Sequence, residues 1–270
     1  MPQAASVPPL LRQAAALVYV TDLESPELSA DDAHHLSAVL RLRPGEVVAI
    51  ADGAGRYRGC RVTAGSTGAD PRVVASGAAA AAGRVDRRRG RPAPVVLEPD
   101  TDVAVVARVE PELTVGFSLA KGDRGDWAVA KLSELGVDRI VPLVCERTAV
   151  RWSQQAVDHQ IERLRRIARE ASMQSRRAWL PVVLDLLPLA EAAATLGDGI
   201  ALAEPGGAPP SLARPTVLVG PEGGFSPREL AMGFPQVGLG DTILRIETAA
   251  VVAGAMLAGF RAGVLGHHPA

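Results

Sequence analysis

A glycine-rich loop at Gly220 to Gly224 carries the clearest chemical signal in the sequence. The apolar residues 217–219 predict a buried strand leading into it, and Ser226 to Glu229 predict a helix start just after it, with Ser as the cap and Glu three residues on. Ligands of open α/β sheets bind at the carboxyl ends of strands, where glycines let the backbone approach a ligand closely. Because the loop lacks both the GxGxxG spacing and a GK[ST] ending, a nucleotide-phosphate site is disfavoured.

A second loop of similar design lies within residues 237–250, whose sequence is VGLGDTILRIETAA. It contains Gly238 and Gly240 and leads into an apolar helix predicted to begin near Glu247. Arg245 lies between apolar residues at this helix entrance, where a buried guanidinium needs a partner. That partner is either Glu247, in a structural ion pair, or an anionic or polar group of a ligand. Glu247 also has a simpler role open to it, as a carboxylate favoured by the dipole in the first helical turn.

The position of the two loops predicts a site for a small neutral or zwitterionic molecule. Both lie in the last 55 residues, and the rest of the sequence offers no Asp/His/Ser triad, phosphate loop or metal-binding cluster. Cys60 and Cys145 fit no metal-ligand spacing and are predicted to be free thiols of a reducing compartment. We therefore expect no metal in this protein.

The composition restricts the kinds of molecule that the protein is expected to bind. The 270 residues include 29 Lys plus Arg and 30 Asp plus Glu, a balance that argues against polyanion binding over the whole surface but not against a local basic site. Three Trp, two Tyr and four Phe are too few for the repeated stacking platforms of single-strand binders. The sequence shows neither a secretory leader nor 18 uninterrupted apolar residues, so we expect a cytoplasmic protein without a membrane span.

The first part of the chain, from Leu17 to about Val109, is predicted to be mostly β, because short apolar runs alternate with Gly, Asp and Pro. One helix is predicted at 31–43, with an aspartate as its cap and an apolar face that includes Leu36 and Val39. A hairpin is predicted with its turn at Asp52-Gly53. The apolar runs fall at residues 17–20, 47–53, 59–64, 71–77, 93–99 and 102–109.

From Glu112 onward the pattern changes to alternating strands and helices, which predicts an α/β domain with a parallel sheet. The change near residue 111 predicts two domains, residues 1–111 and 112–270. Strands are predicted at 113–121, 138–145, 181–184, 200–203, 215–220 and 236–240, and helices at 126–137, at 154–173, after Ser226 and at 247–262.

Five segments, in their order and spacing, resemble one known family. They are HHLSAVLRLRPGE, KGDRGDWAVAKLSELGVDRIVPLVCERT, EASMQSRRAWLP, VGPEGGFSPRE and LGDTILRIETAA. Together they resemble the RsmE family of 16S ribosomal RNA uridine N3-methyltransferases, over a span from about Val18 to Gly263. The resemblance implies a PUA-like β-barrel followed by a SPOUT-type α/β domain whose chain forms a deep trefoil knot. It also implies a homodimer with the active site completed across the interface.

The resemblance further implies S-adenosylmethionine as the cofactor, held by backbone groups of three loops. Methylation at uracil N3 requires loss of the N3 proton, and a positive group near the uracil oxygens stabilises the developing anion. Arg245 is the candidate for that group or for placing the substrate, and Glu247 is a weaker candidate for a base or an orienting residue. The candidate cofactor-binding residues are Ala203, Glu204, Gly220, Pro221, Glu222, Gly223, Leu239, Gly240, Ile243, Leu244, Arg245 and Thr248.

RNA contacts are expected from both domains, each with a solvated surface charge as its alternative. The Ala/Arg-rich segment 78–91 is interpreted as a solvated loop or as a contact to the RNA backbone. Basic residues concentrate around 41–43, 84–91 and 163–177. The candidate RNA-binding residues are His35, Arg41, Arg43, Lys121, Arg147, Gln174 and Arg177.

The expected activity is methylation of uracil 1498 of 16S ribosomal RNA in the 30S subunit. An enzyme of the same fold with another target, such as a transfer RNA ribose methyltransferase, is the nearest alternative, and its 2′-hydroxyl would need different activation. A non-catalytic RNA-binding module is the alternative from another class, since PUA-like barrels bind RNA without chemistry. That module would not bind S-adenosylmethionine.

Overall fold

A computed structural model describes residues 7–64, 95–119, 122–149 and 153–266 of the chain. The chain divides into two compact units. The first comprises Met1–Pro8, Gly53–Gly55 and Val106–Ala270, and the second comprises Pro9–Asp52 and Arg56–Val105. The division at Val106 lies a few residues before the change of pattern in the sequence near residue 111.

In the part of the second unit that the structure describes, five strands form one mixed sheet. The strand order is β1-β2-β3-β4, with β5 beside β3; β1 and β2 are parallel and the other pairs are antiparallel. The predicted strand at 71–77 and the segment 78–91 lie outside the described residues. The elements are α1 (Pro9–Gln13), β1 (Ala16–Tyr19), α2 (Ala30–His34), β2 (Val47–Ala51), β3 (Arg56–Ala64), β4 (Val95–Pro99) and β5 (Ala104–Val105).

The helix predicted at 31–43 is wrong in its length and in its cap. Ser29 caps α2, accepting a hydrogen bond from Asp32 N at 3.1 Å, and a π-helical segment, His35–Val39, follows. The wider π turn rotates the apolar face, so that Leu36 is fully buried while Val39 is 59% exposed. Arg41 then adopts a φ of 54°, which ends the helical path well before Pro44.

The hairpin between β2 and β3 is confirmed, with a longer connection than the predicted two-residue turn. Asp52 N donates to Arg56 O at 3.1 Å, and Asp52 Oδ1 accepts from Arg56 N at 3.1 Å, which closes the connection at its base. Gly53 and Gly55 both have positive φ, of 76° and 92°, a conformation that glycine adopts without strain.

The first unit is organised by a parallel sheet of seven strands, which confirms the predicted α/β architecture. The order is β12-β10-β11-β6-β7-β8, with β9 beside β7. The strands are β6 (Thr114–Ser118), β7 (Arg139–Val144), β8 (Val182–Val183), β9 (Leu187–Pro188), β10 (Ile200–Ala208), β11 (Thr216–Val219) and β12 (Gln236–Val237). The helices are α3 (Arg124–Leu135), α4 (Gln154–Gln174), α5 (Leu189–Leu196), α6 (Pro227–Leu230) and α7 (Ile246–Arg261).

One helix of this unit, α5, was not predicted from the sequence. Its apolar residues Leu189, Ala192 and Leu196 recur at helical spacing and are buried, but the eight-residue segment is too short for a strong periodic signal. Pro188 occupies the cap position before it, and Gly197, with a φ of 72°, follows it.

The core fixes the helix that leads away from the candidate site. α7 packs against α3, and a Cβ on Gly254 of α7 would lie 2.6 Å from the side chain of Leu132, so glycine allows this close helix contact. β6 and β11 are buried along their whole lengths at the centre of the sheet. Among the described residues, no helix is long and apolar enough to cross a membrane.

Candidate active site

The first loop of the site interrupts β10. Ala203 and Ala208 both pair with Val237 of β12, so residues 204–207 bulge out of the strand between them. A Cβ on Gly207 would lie 2.6 Å from the backbone of Val237, and therefore only glycine allows this approach. Bulges of this kind redirect the chain beside functional sites. This bulge carries the residues predicted to form the first cofactor loop.

The second loop follows β11, which ends at Val219. The backbone N–H of Gly224 donates to Pro221 O at 2.8 Å and closes a tight turn, in which Gly224 has a φ of 67°. A Cβ on Gly220 would lie 3.2 Å from the ring of Phe225, so a larger residue there would crowd the turn. The glycines thus allow a path that other residues would strain.

The predicted helix start after this loop is confirmed. Ser226 Oγ accepts from Glu229 N at 3.1 Å, and Glu229 Oε2 accepts from Ser226 N at 2.7 Å, a reciprocal capping box with Pro227 at the first helical position. Glu229 is only 6% exposed, and its other oxygen, Oε1, accepts from Glu146 N at 2.9 Å. Both oxygens of this buried carboxylate are therefore hydrogen-bonded.

The third loop connects β12 to α7. The backbone N–H of Gly238 donates to Ala208 O at 2.9 Å, which holds this loop against the bulge of β10. Gly240 has a φ of 140°. The loop ends at Arg245, the N-cap of α7, whose side chain makes no capping hydrogen bond. The first N–H groups of α7 therefore lack a side-chain cap from this residue, and the helix dipole favours a polar or anionic group there.

The three loops meet around a cleft of about 320 Å³. Its apolar surface includes Val219, Ile246 and Ala249, which sequence reasoning missed. The signal for them was weak, because Val219 is simply the last residue of a buried strand, while Ile246 and Ala249 share a helix face only if α7 begins at Ile246. The lining residues are Ala203, Glu204, Pro205, Val219, Gly220, Pro221, Glu222, Gly223, Gly224, Leu239, Gly240, Thr242, Ile243, Leu244, Ile246 and Ala249.

Ten of the twelve predicted cofactor-binding residues lie in this lining. Arg245 and Thr248 are described by the structure but do not belong to it. Ile243 lines the cleft while being 84% exposed, an unusual position for a large apolar side chain. The polar side chains available to a ligand are those of Glu204, Glu222 and Thr242, and most other contacts would come from the backbone.

Arg245 and Glu247 do not pair with each other. Glu247 Oε1 lies 3.8 Å from Nε of Arg124 on α3, and the Glu247 side chain is 15% exposed. Arg245 is exposed and has no ion-pair partner among the residues that the structure describes. A cation at the N-terminus of a helix is disfavoured by the dipole, so the position of Arg245 lacks a structural explanation of that kind.

Arg147, a predicted RNA contact, donates hydrogen bonds to the second loop. Its Nη1 lies 2.9 Å from Gly223 O and 3.2 Å from Phe225 O. Arg147 belongs to the loop after β7, which is anchored by Thr148: Thr148 Oγ1 accepts from Cys145 N at 2.9 Å.

The remaining RNA candidates differ in their surroundings. In the second unit, His35, Arg41 and Arg43 are exposed, and the structure describes no ion pair for them. In the first unit, Gln174 is exposed at the last residue of α4. Lys121 lies outside the described residues.

Arg177 lies in a buried network. Its Nη1 donates to Ser133 O and Val137 O, both at 2.9 Å, and its Nη2 lies 3.7 Å from Asp138 Oδ1. Arg261 of α7 pairs with the other oxygen of Asp138. The Arg177 side chain is 13% exposed, so this geometry supports a structural role, and the RNA contact stays a prediction.

Both cysteines are free and buried. Burial raises the pKa of Cys145 to about 12, with the nearby Glu229 carboxylate adding to the effect. Burial also raises the pKa of Cys60 to about 11. Within the described ranges, no group of three or more His, Cys, Asp or Glu side chains is arranged to hold a metal ion.

Sequence relatives identify the family. Residues 108–258 match the family model of an RNA methyltransferase domain, and residues 28–69 match that of an RNA methyltransferase PUA domain. The ribosomal RNA small subunit methyltransferase E of Mycobacterium tuberculosis is 32% identical over 251 residues, which cover 84% of this chain and 83% of that protein.

Solved structures agree with these matches. The ribosomal RNA small subunit methyltransferase E from Neisseria gonorrhoeae, bound to S-adenosyl methionine, aligns with a TM-score of 0.67 and 27% identity over 90% of this chain and 97% of that chain. A probable rRNA-methyltransferase from Porphyromonas gingivalis aligns with a TM-score of 0.67 and 26% identity over 93% of this chain and all of that one. The chain belongs to the ribosomal RNA small subunit methyltransferase E family.

Proposed function

We propose that this chain transfers a methyl group from S-adenosylmethionine to N3 of uracil 1498 of 16S ribosomal RNA in the 30S subunit. The observation that carries the proposal is the convergence of three loops on one cleft: one loop interrupts β10, and the other two follow its parallel neighbours β11 and β12. Family membership supports the RNA methyltransferase class, and the gonococcal relative is bound to S-adenosyl methionine.

The residues of the cleft fit this cofactor. Val219, Ile246 and Ala249 offer an apolar surface for the adenine or the methionine chain, and Glu204 and Glu222 offer carboxylates for hydroxyl or ammonium groups. Backbone N–H and C=O groups from the three glycine-containing loops supply the remaining polar contacts. The cofactor, when bound, supplies an electrophilic methyl group on a sulfonium sulfur.

Arg245 stabilises the uracil anion in the proposed mechanism. Its guanidinium is exposed, permanently charged and free of an ion-pair partner among the described residues, next to Leu244 and Ile246 of the cleft lining. A positive group that faces the uracil oxygens lowers the cost of removing the N3 proton. Glu247, whose carboxylate is close to Arg124, is the proposed orienting group or base, and solvent is the alternative proton acceptor.

RNA binding is proposed for the exposed polar residues of both units. Arg41 and Arg43 of the second unit are exposed on the segment after the π-helix, and His35 is the exposed first residue of that helix. Gln174 is the proposed contact in the first unit, and Lys121 stays a candidate from the sequence. The domains are proposed as residues 1–111, the RNA-binding PUA-like barrel, and 112–270, the methyltransferase.

A homodimer and a trefoil knot are also proposed, by family analogy. The dimer has support from α7, which carries no charged residue between Glu247 and Arg261 and leaves Val252 and Met256 only half-buried. A helix that is apolar on all sides needs a partner on each face. We expect equilibrium sedimentation to give a dimer, and Met256→Lys to shift it toward the monomer. We also propose that the protein acts in the cytoplasm, because its proposed substrate is ribosomal RNA.

A methyl-transfer assay tests the function directly. Purified protein and labelled S-adenosylmethionine are given to unmethylated 30S subunits, to naked 16S RNA and to transfer RNA, and the modified base is mapped. The proposal expects label on N3 of a single uracil of 16S RNA. Label on a ribose, or on transfer RNA alone, would overturn the stated specificity. Failure of millimolar S-adenosylmethionine to bind in calorimetry would favour the non-catalytic module.

A further inference from the structure

The peptide group between Gly223 and Gly224 is hydrogen-bonded at both ends. Its carbonyl, Gly223 O, accepts from Arg147 Nη1 at 2.9 Å, and its N–H, on Gly224, donates to Pro221 O at 2.8 Å. A peptide between two glycines rotates more easily than any other, because neither residue carries a Cβ. Both residues line the cleft. Arg147 thus restrains a peptide of the cleft that the local sequence leaves free to rotate.

The same guanidinium nitrogen of Arg147 also donates to the carbonyl of the residue that follows Gly224. Arg147 Nη1 donates to Phe225 O at 3.2 Å, so one nitrogen bridges the two carbonyls that flank the residue with a φ of 67°. Hydrogen bonds from a charged donor are stronger than those from a neutral one. The bridge favours the left-handed conformation at Gly224 over the alternatives open to glycine.

The backbone that carries Arg147 is itself fixed to this loop. Glu229, which completes the capping box of α6 with Ser226, accepts from the backbone N–H of Glu146 at 2.9 Å. Thr148 Oγ1 lies 3.0 Å from Ser118 Oγ at the end of β6. The segment 146–148 is therefore attached on one side to α6 and on the other to a central strand.

We propose that Arg147 is a positioning residue for the cofactor loop. Resting on the proposed function, the inference deepens it: Arg147 sets the affinity for S-adenosylmethionine by holding the Gly223–Gly224 peptide in one orientation. It acts through the loop and is not required for RNA binding. Arg228, an exposed arginine on α6 with no described hydrogen bond, provides the matched control for loss of a nearby positive charge.

Calorimetry without RNA distinguishes a role of Arg147 in cofactor binding from a role in RNA binding. Arg147→Ala is expected to weaken S-adenosylmethionine binding about tenfold, the scale of losing charge-assisted hydrogen bonds at a partly exposed site. Arg147→Lys should restore part of the affinity, because an ammonium can still reach one carbonyl. Arg228→Ala should change the affinity by less than about twofold, and the KM for 30S subunits should stay the same in all three variants.

Two outcomes would overturn the inference. One is an unchanged cofactor affinity in Arg147→Ala with a raised KM for the 30S subunit, which would make Arg147 an RNA contact. The other is an equal loss of cofactor affinity in Arg228→Ala, which would make the effect one of charge alone. If Arg147→Ala fails to fold in a thermal melt, Arg147→Lys and Arg147→Gln carry the comparison.

Hydrogen exchange separates failure of this inference from failure of the proposed function. In the protein without cofactor, deuterium uptake in peptides covering residues 220–226 should rise in Arg147→Ala and stay at the wild-type level in Arg228→Ala. If wild-type protein does not bind S-adenosylmethionine, the proposed function fails, and raised uptake in Arg147→Ala still supports the restraint. Unchanged uptake contradicts the restraint whether or not the cofactor binds.

Discussion

The cleft and the proposed RNA-binding residues differ in the kind of groups that form them. The cleft is formed largely by backbone and small residues, as in the bulge at 204–207 and the turn at 221–224. The RNA candidates are long polar side chains whose partners depend on the rest of the fold. The spacing of glycines in the sequence indicates a site formed by backbone groups. An arginine in the sequence does not indicate whether its side chain is exposed, as that of Arg41 is, or mostly buried, as that of Arg177 is.

The largest effect is expected at Arg245, which lies between two lining residues of the cleft in the sequence. Arg245→Ala should lower kcat about a thousandfold, because it removes the charge proposed to stabilise the uracil anion. Cofactor affinity should change by less than about threefold, since Arg245 lies outside the lining. Single-turnover rates and calorimetry measure the two quantities. An equal fall in both would move Arg245 to cofactor binding.

Arg177→Ala should reduce stability and leave the RNA affinity of the folded protein unchanged. Loss of this guanidinium removes one hydrogen bond each from Ser133 O and Val137 O and one partner of buried Asp138, at a cost of about 2 to 3 kcal/mol. Urea denaturation measures the change in the free energy of unfolding. Gln174→Ala, at a nearby exposed position, is the control for the stability measurement alone, since Gln174 is itself a proposed RNA contact. A stable Arg177→Ala protein with weakened RNA binding would contradict the structural role.

Gly207→Ala tests whether the cleft depends on a close approach of the backbone at this glycine. The added methyl group would meet the backbone of Val237 at 2.6 Å, and overpacking of this kind costs about 2 kcal/mol. Cofactor affinity should fall about thirtyfold, because the bulge of β10 must move. Gly206→Ala is the comparison, since nothing lies within 4 Å of its Cβ and only the strain of its φ of 78° remains. Equal losses in the two variants would refute the steric account.

Arg41→Ala should weaken RNA binding about tenfold without affecting the cofactor. A contact to phosphate is expected to reduce the slope of log affinity against log salt by about one. Arg12→Ala, on α1 of the same unit, controls for loss of charge. Filter binding across a salt series measures affinity and slope together. If Arg41→Ala and Arg12→Ala behave alike, Arg41 is a solvated surface charge.

The smallest expected effect is on the pH dependence of the free energy of unfolding. The pKa of Cys145 is raised to about 12 in the folded protein, so the neutral thiol favours folding fully below its ordinary unfolded pKa, and this stabilisation is lost as pH rises toward 12. We expect the free energy of unfolding to begin falling above about pH 9, and Cys145→Ala to flatten that decline. Urea melts between pH 8 and 10 measure it. An equally steep decline in Cys145→Ala would assign it to other groups.

The sequence predicted those parts of the site that are governed by local rules. The capping box of Ser226 and Glu229 follows from residues three apart, and two of the three loops follow from glycines after predicted strands, whereas the loop after Ala203 was expected only from the family resemblance. The helix predicted at 31–43 failed because periodicity does not reveal a π turn. Likewise, Arg147 meets Gly223 across 76 residues, a pairing set only by the order of strands in the sheet.

The most direct test of the account is the position of the transferred methyl group. Labelled S-adenosylmethionine, the wild-type chain and unmethylated 30S subunits are incubated, and the 16S RNA is digested and mapped by mass spectrometry. The account predicts one labelled nucleoside, N3-methyluridine, at position 1498, and a rate reduced about a thousandfold with Arg245→Ala. Label on a ribose, at another uracil, or at the same rate with Arg245→Ala would contradict it.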